Sequence, residues 1–310
     1  MKTILLLGGY GFLGTNILNY IENHLKRKYQ IIVFDRYVSH PAGLSFSCVL
    51  KTYAGDFSDG LLLRSIFHEN QIDIVIHSLS TTIPINAYNA KYDIESNLIP
   101  TVNLLDIMAD NHVQNIVYIS SGGAIYGETS VNKHSENEVV YPISSYGIVK
   151  LAIEKYLIQY EYLYGIRPLI LRLSNPYGKY HYSQRQGICN VAIDCALNNT
   201  TFKVWGDGNA RKDFIFVEDF VRILFTLLNK DSIQRIINIG SGNVLSVNQI
   251  LMTIKGMIPS FQWEYENSSR LDVSESSICI SLLTSLIGDF CFTPLEKGLE
   301  HTLKWAKEKC

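Results

Sequence analysis

A tyrosine and a lysine that lie four residues apart, Tyr146 and Lys150 in the segment "SSYGIVK", could act together on a proton. On a helix this spacing brings both side chains to one face, one turn apart. A free phenol has a pKa of about 10, so a phenol that works near neutral pH needs a neighbouring cation to stabilise its anion. Lys150 can supply that cation. Since such pairs are common on helix surfaces, a catalytic role depends on what the rest of the chain binds.

The segment "GGYGFLG" predicts a dinucleotide site, because it follows an apolar run directly and begins a helical pattern. Its glycines, at intervals of three, allow a tight turn and a close approach of the backbone. A pyrophosphate can then bind the N–H groups at the start of the helix. The residues of this turn predicted to contact the cofactor are Gly8, Gly11, Phe12, Leu13 and Gly14.

Asp35 ends the second predicted strand, 21 residues after Gly14. A carboxylate in this place can accept hydrogen bonds from both ribose hydroxyls and would repel a 2′-phosphate, which favours NAD over NADP. Arg36 beside it can accommodate a phosphate, so NADP stays open as an alternative. Both residues are predicted to lie at the cofactor.

The turns after the next two predicted strands supply further cofactor contacts. Asp56, in "AGDFSD", can accept a hydrogen bond from the adenine amino group with Phe57 beside the ring, although capping of the next helix would explain Asp56 equally well. In "HSLSTT", the backbone around Leu79 is predicted to line the cofactor. His77 in the same segment is predicted to be a core residue and not a metal ligand, because no companion ligands lie at a suitable spacing. We predict no metal site.

The order of the elements predicts an α/β fold with a Rossmann-type, doubly wound parallel sheet. Short and almost continuously apolar runs, typical of strands buried on both faces, alternate with longer helical patterns. The predicted strands are 2–7, 30–35, 50–55, 72–77, 114–120 and 167–173, and the predicted helices are 12–27, 58–70, 94–112 and 144–164.

The pattern changes after Leu173, where the elements become shorter and less regular. The predicted strands there are 202–205, 213–217 and 235–240, and the predicted helices are 187–198, 218–229, 246–257 and 294–308. We therefore predict a dinucleotide-binding domain over 1–173 and a smaller α/β substrate lobe over 174–310, with the active-site cleft between them.

Composition limits the classes of partner. The 310 residues are 47% apolar and 18% charged with a formal net charge of −2, which disfavours nucleic acid and anionic membranes as partners. The six cysteines show no Cys-x-x-Cys spacing, so we expect reduced thiols rather than a zinc site or a disulfide framework. The apolar run Ile4–Leu7 is too short for a signal peptide or a membrane span. The expected compartment is the cytoplasm.

The chain resembles the extended short-chain dehydrogenase/reductase family, in its NAD-dependent nucleotide-sugar epimerase, dehydratase and reductase branch. The resemblance covers nearly the whole length and combines the segments above with others in family order: "GDFSD", "ESNLIPT", "SSGGAIYG", "LRLSNPYG", "WGDGNARKDFIFVEDF" and "NIGSG". It implies that Tyr146 exchanges a proton with a sugar hydroxyl or ketone while the nicotinamide takes or gives hydride, and that Lys150 also holds the nicotinamide ribose.

Further site residues follow from the resemblance by position. It implies that Asn97 and Ser174 lie on the cofactor side of the cleft, that Asn175 contacts the sugar or phosphate, and that Arg270 binds the nucleotide diphosphate. The family usually has an arginine directly before the aspartate of "RDFI". Here that residue is Lys212, which changes the predicted phosphate contact.

A second departure lies in "SSGGAIYG". Family members usually have serine or threonine four residues before the tyrosine of this motif, where the hydroxyl bonds the catalytic phenol and the reacting hydroxyl. In this chain the position is Gly122. If the two glycines let the strand end turn differently, Ser121 or Ser120 is predicted to replace it, as a substrate contact and, for Ser121, as the third catalytic residue. Otherwise Tyr146 works with water or backbone groups instead.

The same segment narrows the reaction. The 4,6-dehydratases of this branch place an acidic pair where this chain has Gly123 and Ala124, so we exclude dehydration. Two reactions at C4 of a nucleotide-diphosphate hexose remain. The sequence favours reduction of a dTDP-4-keto-6-deoxyhexose slightly, because a ketone needs less help than a hydroxyl and tolerates Gly122 better. UDP-sugar 4-epimerisation, on UDP-glucose and UDP-galactose or their N-acetyl forms, is the alternative.

Three further predictions concern an alternative function, the use of the product and the oligomeric state. A non-catalytic dinucleotide sensor is a remote alternative, because such relatives usually lose the tyrosine or the lysine and this chain keeps both. By analogy with the family, either sugar product would feed a surface polysaccharide such as O antigen. The helices 94–112 and 144–164, with the apolar stripe of "YLIQYEYLYG", predict a homodimer.

Overall fold

A computed structural model describes residues 1–82, 89–127, 133–184, 186–230, 234–267 and 275–309. The chain divides into two compact units. The first comprises residues 1–125, 142–172 and 232–237, and the second comprises 126–141, 173–231 and 238–310. The second unit thus includes a segment from within the predicted first domain, and the first unit includes a short segment from the predicted lobe.

The described strands, numbered along the chain, are mostly short. They are β1 Lys2–Leu7, β2 Tyr29–Asp35, β3 Val49–Ala54, β4 Ile74–His77, β5 Asn115–Ser121, β6 Arg167–Leu173, β7 Asn175–Tyr177, β8 Phe202–Trp205, β9 Arg211–Phe216, β10 Ile236–Ile239, β11 Val244–Ser246, β12 Trp263–Glu266 and β13 Glu275–Ser276. The strands predicted up to Leu173 all occur, with ends that differ by at most two residues.

All eight predicted helices occur, two of them partly as a π-helical turn, and the described residues contain two further short helices that were not predicted, at Ala90–Asp93 and Ser281–Ile287. The described helices are α1 Phe12–Tyr20, α2 Gly60–Glu69, α3 Ala90–Asp93, α4 Ile99–Asp110, α5 Ser145–Tyr164, α6 Ile188–Leu197, α7 Val217–Leu228, α8 Val247–Met257, α9 Ser281–Ile287 and α10 Leu295–Lys309. Single π-helical turns follow α1, at Ile21–Leu25, and join α3 to α4, at Ile94–Leu98. No described helix is long and apolar enough to cross a membrane.

The first unit is built on a seven-stranded parallel sheet in the order β10-β6-β5-β4-β1-β2-β3, which confirms the predicted Rossmann-type fold. Its central strands are buried on both faces because helices cover them, which explains their continuous apolar runs. The chain order reverses between β1 and β4, and the carboxyl ends of the strands on either side of such a reversal form a crevice where ligands bind. The turns after β1 and β4 therefore lie at the expected ligand position.

One strand assignment needs correction. The pattern placed 235–240 in the smaller lobe, whereas β10 is the edge strand of the large sheet, beside β6. An apolar run predicts a strand but carries no information about which sheet it joins, so the sequence could not settle this.

The second unit contains a sheet in the order β11-β9-β13, with β7 also paired to β9, and a separate pair of β8 and β12. Its apolar core lies between these strands and α6, α8 and α10. Members of that core include Tyr177, Ile193, Phe214, Ile250 and Leu299.

Candidate active site

In the glycine turn after β1, neighbouring atoms crowd Gly8 and Gly14, whereas Gly11 has more room. Gly8 has φ +77°, and a Cβ there would lie 3.1 Å from the Leu79 Cα. At Gly14 a Cβ would lie 2.1 Å from the Gly8 oxygen, so only glycine fits. At Gly11, by contrast, the nearest atom is that same oxygen at 3.4 Å. Gly11 begins α1 without a side-chain cap, and the turn therefore offers helix N–H groups to an anion as a pyrophosphate requires.

Asp35 is held in one orientation at the end of β2. Its carboxylate accepts hydrogen bonds from the backbone N–H of Tyr10 at 2.9 Å and of Tyr37 at 3.4 Å, and only 7% of the residue is exposed. Tyr10 belongs to the glycine turn, and its hydroxyl lies 2.6 Å from the Thr52 hydroxyl. Sequence reasoning missed this link between the turn and the acid. Arg36 beside Asp35 is exposed.

The turn after β3 places its two predicted residues differently. The Asp56 carboxylate accepts hydrogen bonds from the Ser58 hydroxyl at 2.6 Å and the Ser58 N–H at 2.9 Å, and these bonds lower its pKa. The residue that caps α2 is Asp59, so Asp56 is not used as the cap and stays exposed. Phe57 is buried between Phe34 and His77, and its ring belongs to the core rather than to an open base-binding surface.

His77 is a core residue, as predicted. Its ring packs edge-on between Phe57 and Tyr118, and Nε2 lies 3.0 Å from the Thr101 hydroxyl. Burial lowers the pKa of His77 to about 3, with a further contribution from the charge of Lys150, so the ring is neutral.

The loop after β4 is fixed by Asn97. The Asn97 side chain accepts a hydrogen bond from the Thr81 N–H at 2.9 Å and donates one to the Thr81 hydroxyl at 2.7 Å. Asn97 is 7% exposed, so its amide acts mainly by holding this loop. Leu79 lies at the start of the loop, beside Gly8 of the glycine turn.

Tyr146 and Lys150 occupy the first turns of α5. Ser144 caps the helix by accepting a hydrogen bond from the Gly147 N–H at 3.1 Å. A Cβ at Gly147 would lie 2.4 Å from the Ala124 oxygen, so glycine lets the helix approach the segment after β5. The Lys150 Nζ lies 5.6 Å from the centre of the Tyr146 ring. This is the arrangement that the spacing of the two residues predicted.

The structure also distinguishes the two serines that precede Gly122. Burial raises the pKa of Tyr146 to about 12, and an interaction with the Ser121 side chain acts in the opposite direction. The Ser120 hydroxyl instead donates to the buried Glu154 at 2.6 Å. Ser121 is therefore the hydroxyl at the phenol, and Ser120 is turned away from it.

Lys150 is nine-tenths buried, and its ammonium donates to the Ile119 carbonyl at 2.9 Å. Burial lowers its pKa to about 8, while the Glu154 carboxylate raises it. The ammonium also lies 4.9 Å from the centre of the Tyr118 ring. Lys150 thus holds its charge close to neutral pH, where it can stabilise a Tyr146 anion.

One cavity in the first unit brings these parts together. Residues of β4, β5, the loop after β4, the π turn, α4 and α5 line it: His77, Leu79, Ser80, Thr82, Asn97, Thr101, Tyr118, Tyr146, Val149, Lys150 and Ile153. Of the predicted site residues, Leu79, Asn97, Tyr146 and Lys150 thus share one cavity. Sequence reasoning missed Thr82 and Thr101, although they end the segments "HSLSTT" and "ESNLIPT", and it missed Tyr118, which lies in an apolar strand.

The remaining predicted residues belong to the second unit. The Ser174 hydroxyl donates to the Asp213 carboxylate at 3.0 Å, and the Asn175 amide donates to the Asp213 carbonyl at 2.9 Å. Asp213 is fully buried, and burial raises its pKa to about 6 although the Ser241 and Gly242 N–H groups also bond it.

Lys212 and Arg270 are the two predicted phosphate contacts. Lys212 lies in β9, opposite Leu245 of β11, and is half-buried. Arg270 lies outside the described residues.

The chain is similar to a family model, to named proteins and to solved structures. A sequence model of the NAD dependent epimerase/dehydratase family matches residues 4–240. A Methanocaldococcus jannaschii protein provisionally named UDP-glucose 4-epimerase is 31% identical over 308 residues, which cover 98% of both chains. The dTDP-4-dehydro-6-deoxyglucose reductase of Escherichia coli is 26% identical, over 81% of this chain and 80% of its own. The crystal structure of Thermotoga maritima UDP-glucose 4-epimerase with UDP-glucose superposes with a TM-score of 0.91 at 26% identity, over 99% of both chains.

Proposed function

Because the chain belongs to the NAD dependent epimerase/dehydratase family, we propose that it is an NAD-dependent nucleotide-sugar 4-epimerase that acts on a UDP-hexose. This proposal reverses the order of the two reactions that the sequence favoured. The observation that carries the change is the place of Ser121.

The sequence favoured a reductase because Gly122 leaves the phenol without its usual hydroxyl partner. The Ser121 side chain interacts with the Tyr146 phenol and acts to lower its pKa, which weakens the argument against deprotonating a sugar hydroxyl. The similarity over the full length to the proteins named UDP-glucose 4-epimerase supports the same choice.

The proposed chemistry divides among three residues and the cofactor. Tyr146 takes the proton of the sugar 4-hydroxyl and later returns it. Lys150, one turn away, stabilises the phenolate and binds the nicotinamide ribose, and Ser121 orients the phenol and the sugar hydroxyl. Bound NAD supplies the acceptor and donor of the C4 hydride. The glycine turn and Asp35 fit the dinucleotide, since a Cβ at Gly14 has no room and the carboxylate is already oriented.

Dehydration remains excluded by the proposal, because Gly123 and Ala124 carry no side chain that can exchange a proton. Reduction of a dTDP-4-keto-6-deoxyhexose is the second candidate, favoured by the similarity to the Escherichia coli reductase. We assign the substrate phosphates and sugar to Asn175, Lys212 and Arg270.

We also propose that the protein is a homodimer. On α5, Ile148, Tyr156 and Leu163 lie along one stripe and are 54%, 39% and 53% exposed. On the neighbouring helical segment Ile94 and Ile99 are 41% and 49% exposed. Sedimentation equilibrium is expected to give twice the chain mass, and a monomer at micromolar concentration would contradict this assignment. The proposed location is the cytoplasm.

The test of the proposed function compares two incubations of purified protein. In the first, UDP-glucose without added reductant is expected to give UDP-galactose, detected by chromatography. In the second, NADH and a dTDP-4-keto-6-deoxyhexose are expected to show no stoichiometric loss of NADH absorbance. Tyr146→Phe is the control in both. NADH consumption in the second incubation, with no UDP-galactose in the first, would favour the reductase. If the protein binds NADH but neither incubation shows turnover, the dinucleotide sensor would be favoured.

A further inference from the structure

Three successive residues at the end of β5 are each engaged by residues one turn apart on α5. The Ser121 side chain interacts with the Tyr146 phenol, and the Ile119 carbonyl accepts from the Lys150 ammonium at 2.9 Å. The next residue on this face of α5 is Glu154, and its carboxylate accepts from the Ser120 hydroxyl at 2.6 Å. The strand end that carries the catalytic serine is thus attached to α5 at three consecutive positions.

Glu154 also forms a buried ion pair with β6. Its Oε2 accepts from the Arg172 Nη2 at 2.8 Å and its Oε1 from the Arg172 Nε at 3.2 Å. Glu154 is 1% exposed and Arg172 3% exposed. A buried ion pair is often no more stabilising than apolar residues of the same size, so its presence here calls for another reason than stability.

The charged and titratable groups around Lys150 come from three elements. On α5 they are Tyr146 and Glu154, on β5 Tyr118, and on β4 His77, which burial keeps neutral. Tyr118 also stays neutral, because burial raises its pKa well above the ordinary value. Glu154 is therefore the anion of this group whose charge raises the pKa of Lys150. Arg172 of β6, a further charge, is paired with the same carboxylate.

We propose that Glu154 is a positioning residue for the reaction, which keeps Lys150 charged in its buried place and holds the end of β5 so that Ser121 faces Tyr146. The inference rests on the proposed function, in which Lys150 binds the nicotinamide ribose and supports the Tyr146 anion. Without the carboxylate, burial alone would act on Lys150, which would then lose its proton at lower pH.

The test uses variants that remove the charge and keep the shape. In Glu154→Gln the glutamine oxygen can still accept from Ser120, but Arg172 is left buried without its counterion. The double variant Glu154→Gln/Arg172→Met removes both members of the ion pair and is expected to fold more stably than the single one. The matched control is Glu161→Gln, which breaks the ion pair between Glu161 and Arg235 further along α5, where the two side chains are 25% and 55% exposed.

The readout is the affinity for NADH, measured by fluorescence between pH 6 and pH 9 after the fold of each variant has been verified by circular dichroism. In the wild type and the control we expect affinity to fall as the pH rises through about 8. In the double variant the fall is expected about one pH unit lower, which makes binding about five-fold weaker than wild type at pH 8 and nearly equal at pH 6.

Two results would overturn the inference. One is a double variant whose affinity follows the wild-type pH dependence within two-fold, as a purely structural ion pair would give. The other is a uniform loss at pH 6 and pH 8 alike, which would assign Glu154 to shape only. NADH binding requires no sugar, so a wild-type protein without sugar turnover would contradict the proposed function separately and leave this comparison readable.

Discussion

Replacing Ser121 by alanine removes the hydroxyl that we place at the Tyr146 phenol and leaves the backbone of β5 unchanged. Ser121 is half-buried, its Oγ is the only heavy atom removed, and the carbonyl of the residue still accepts from the Ile125 N–H at 3.3 Å. The substitution therefore separates the hydroxyl from the fold. The rate of this variant shows whether Ser121 provides the hydroxyl partner of Tyr146 that Gly122 cannot provide.

The expected loss follows from the charge that develops on the phenol. A hydrogen bond to a group that becomes ionised contributes about 1.5 to 3 kcal/mol. Since each 1.36 kcal/mol corresponds to a factor of ten in rate, kcat is expected to fall roughly 10- to 150-fold. KM for the sugar is expected to change less, because the contact matters most when the proton has left Tyr146.

The assay is the initial rate of UDP-galactose formation from UDP-glucose over a range of substrate concentrations. Ser65→Ala is the matched control, because the Ser65 hydroxyl donates to the Leu62 carbonyl on α2 at 2.8 Å and Ser65 is not a predicted site residue. Its kcat is expected to stay within two-fold of the wild type. Thermal melting of both variants verifies that they are folded.

A Ser121→Ala variant that keeps kcat within three-fold of the wild type would refute this reasoning. It would mean that Tyr146 works without a hydroxyl partner. The argument that lets Ser121 replace the missing residue at Gly122 would then fail, and with it the structural reason for preferring epimerisation to reduction.

Three further predictions concern the cofactor site. Gly14→Ala is expected to lower the melting temperature by roughly 3 to 10 °C, because its Cβ would lie 2.1 Å from the Gly8 oxygen. Gly11→Ala is expected to keep the wild-type melting temperature and to weaken only NADH binding. An unchanged melting temperature for Gly14→Ala, or unchanged NADH binding for Gly11→Ala, would contradict this. Asp35→Asn is expected to raise the affinity for NADPH relative to NADH about ten-fold in fluorescence titrations, and an unchanged ratio would show that the carboxylate does not select the cofactor. The rate is expected to fall as the pH rises through about 8, where Lys150 loses its proton, and a pH–rate profile that stays flat to pH 10 would contradict a role for its charge.

The sheet of the first unit could be predicted from the sequence because each strand carries its own signal. Strands buried on both faces read as continuous apolar runs, and the helices between them have clear periods. The pairing partner of a strand has no such local signal, which is why the sequence pattern placed β10 in the smaller lobe and not in the large sheet. The strands β7, β11 and β13 have only two or three residues, too few for a pattern to emerge.

The candidate site shows the same division. The spacing of Tyr146 and Lys150 on one helix is a local property, and the sequence predicts it. The choice between Ser120 and Ser121 depends on how the chain leaves β5, which is a tertiary property. Glu154 was missed for a similar reason, although a carboxylate one turn beyond Lys150 and an arginine, Arg172, inside an apolar strand together indicate a buried pair.

The central claim, that a hydride leaves C4 of the sugar and returns to the same carbon, is tested most directly with UDP-glucose that carries deuterium at C4. The account predicts that purified protein without added reductant forms UDP-galactose that retains the deuterium at C4, and that Tyr146→Phe forms at most a small fraction of it. UDP-galactose that has lost the deuterium to solvent would contradict hydride transfer at C4, and the absence of UDP-galactose would contradict the epimerase assignment itself.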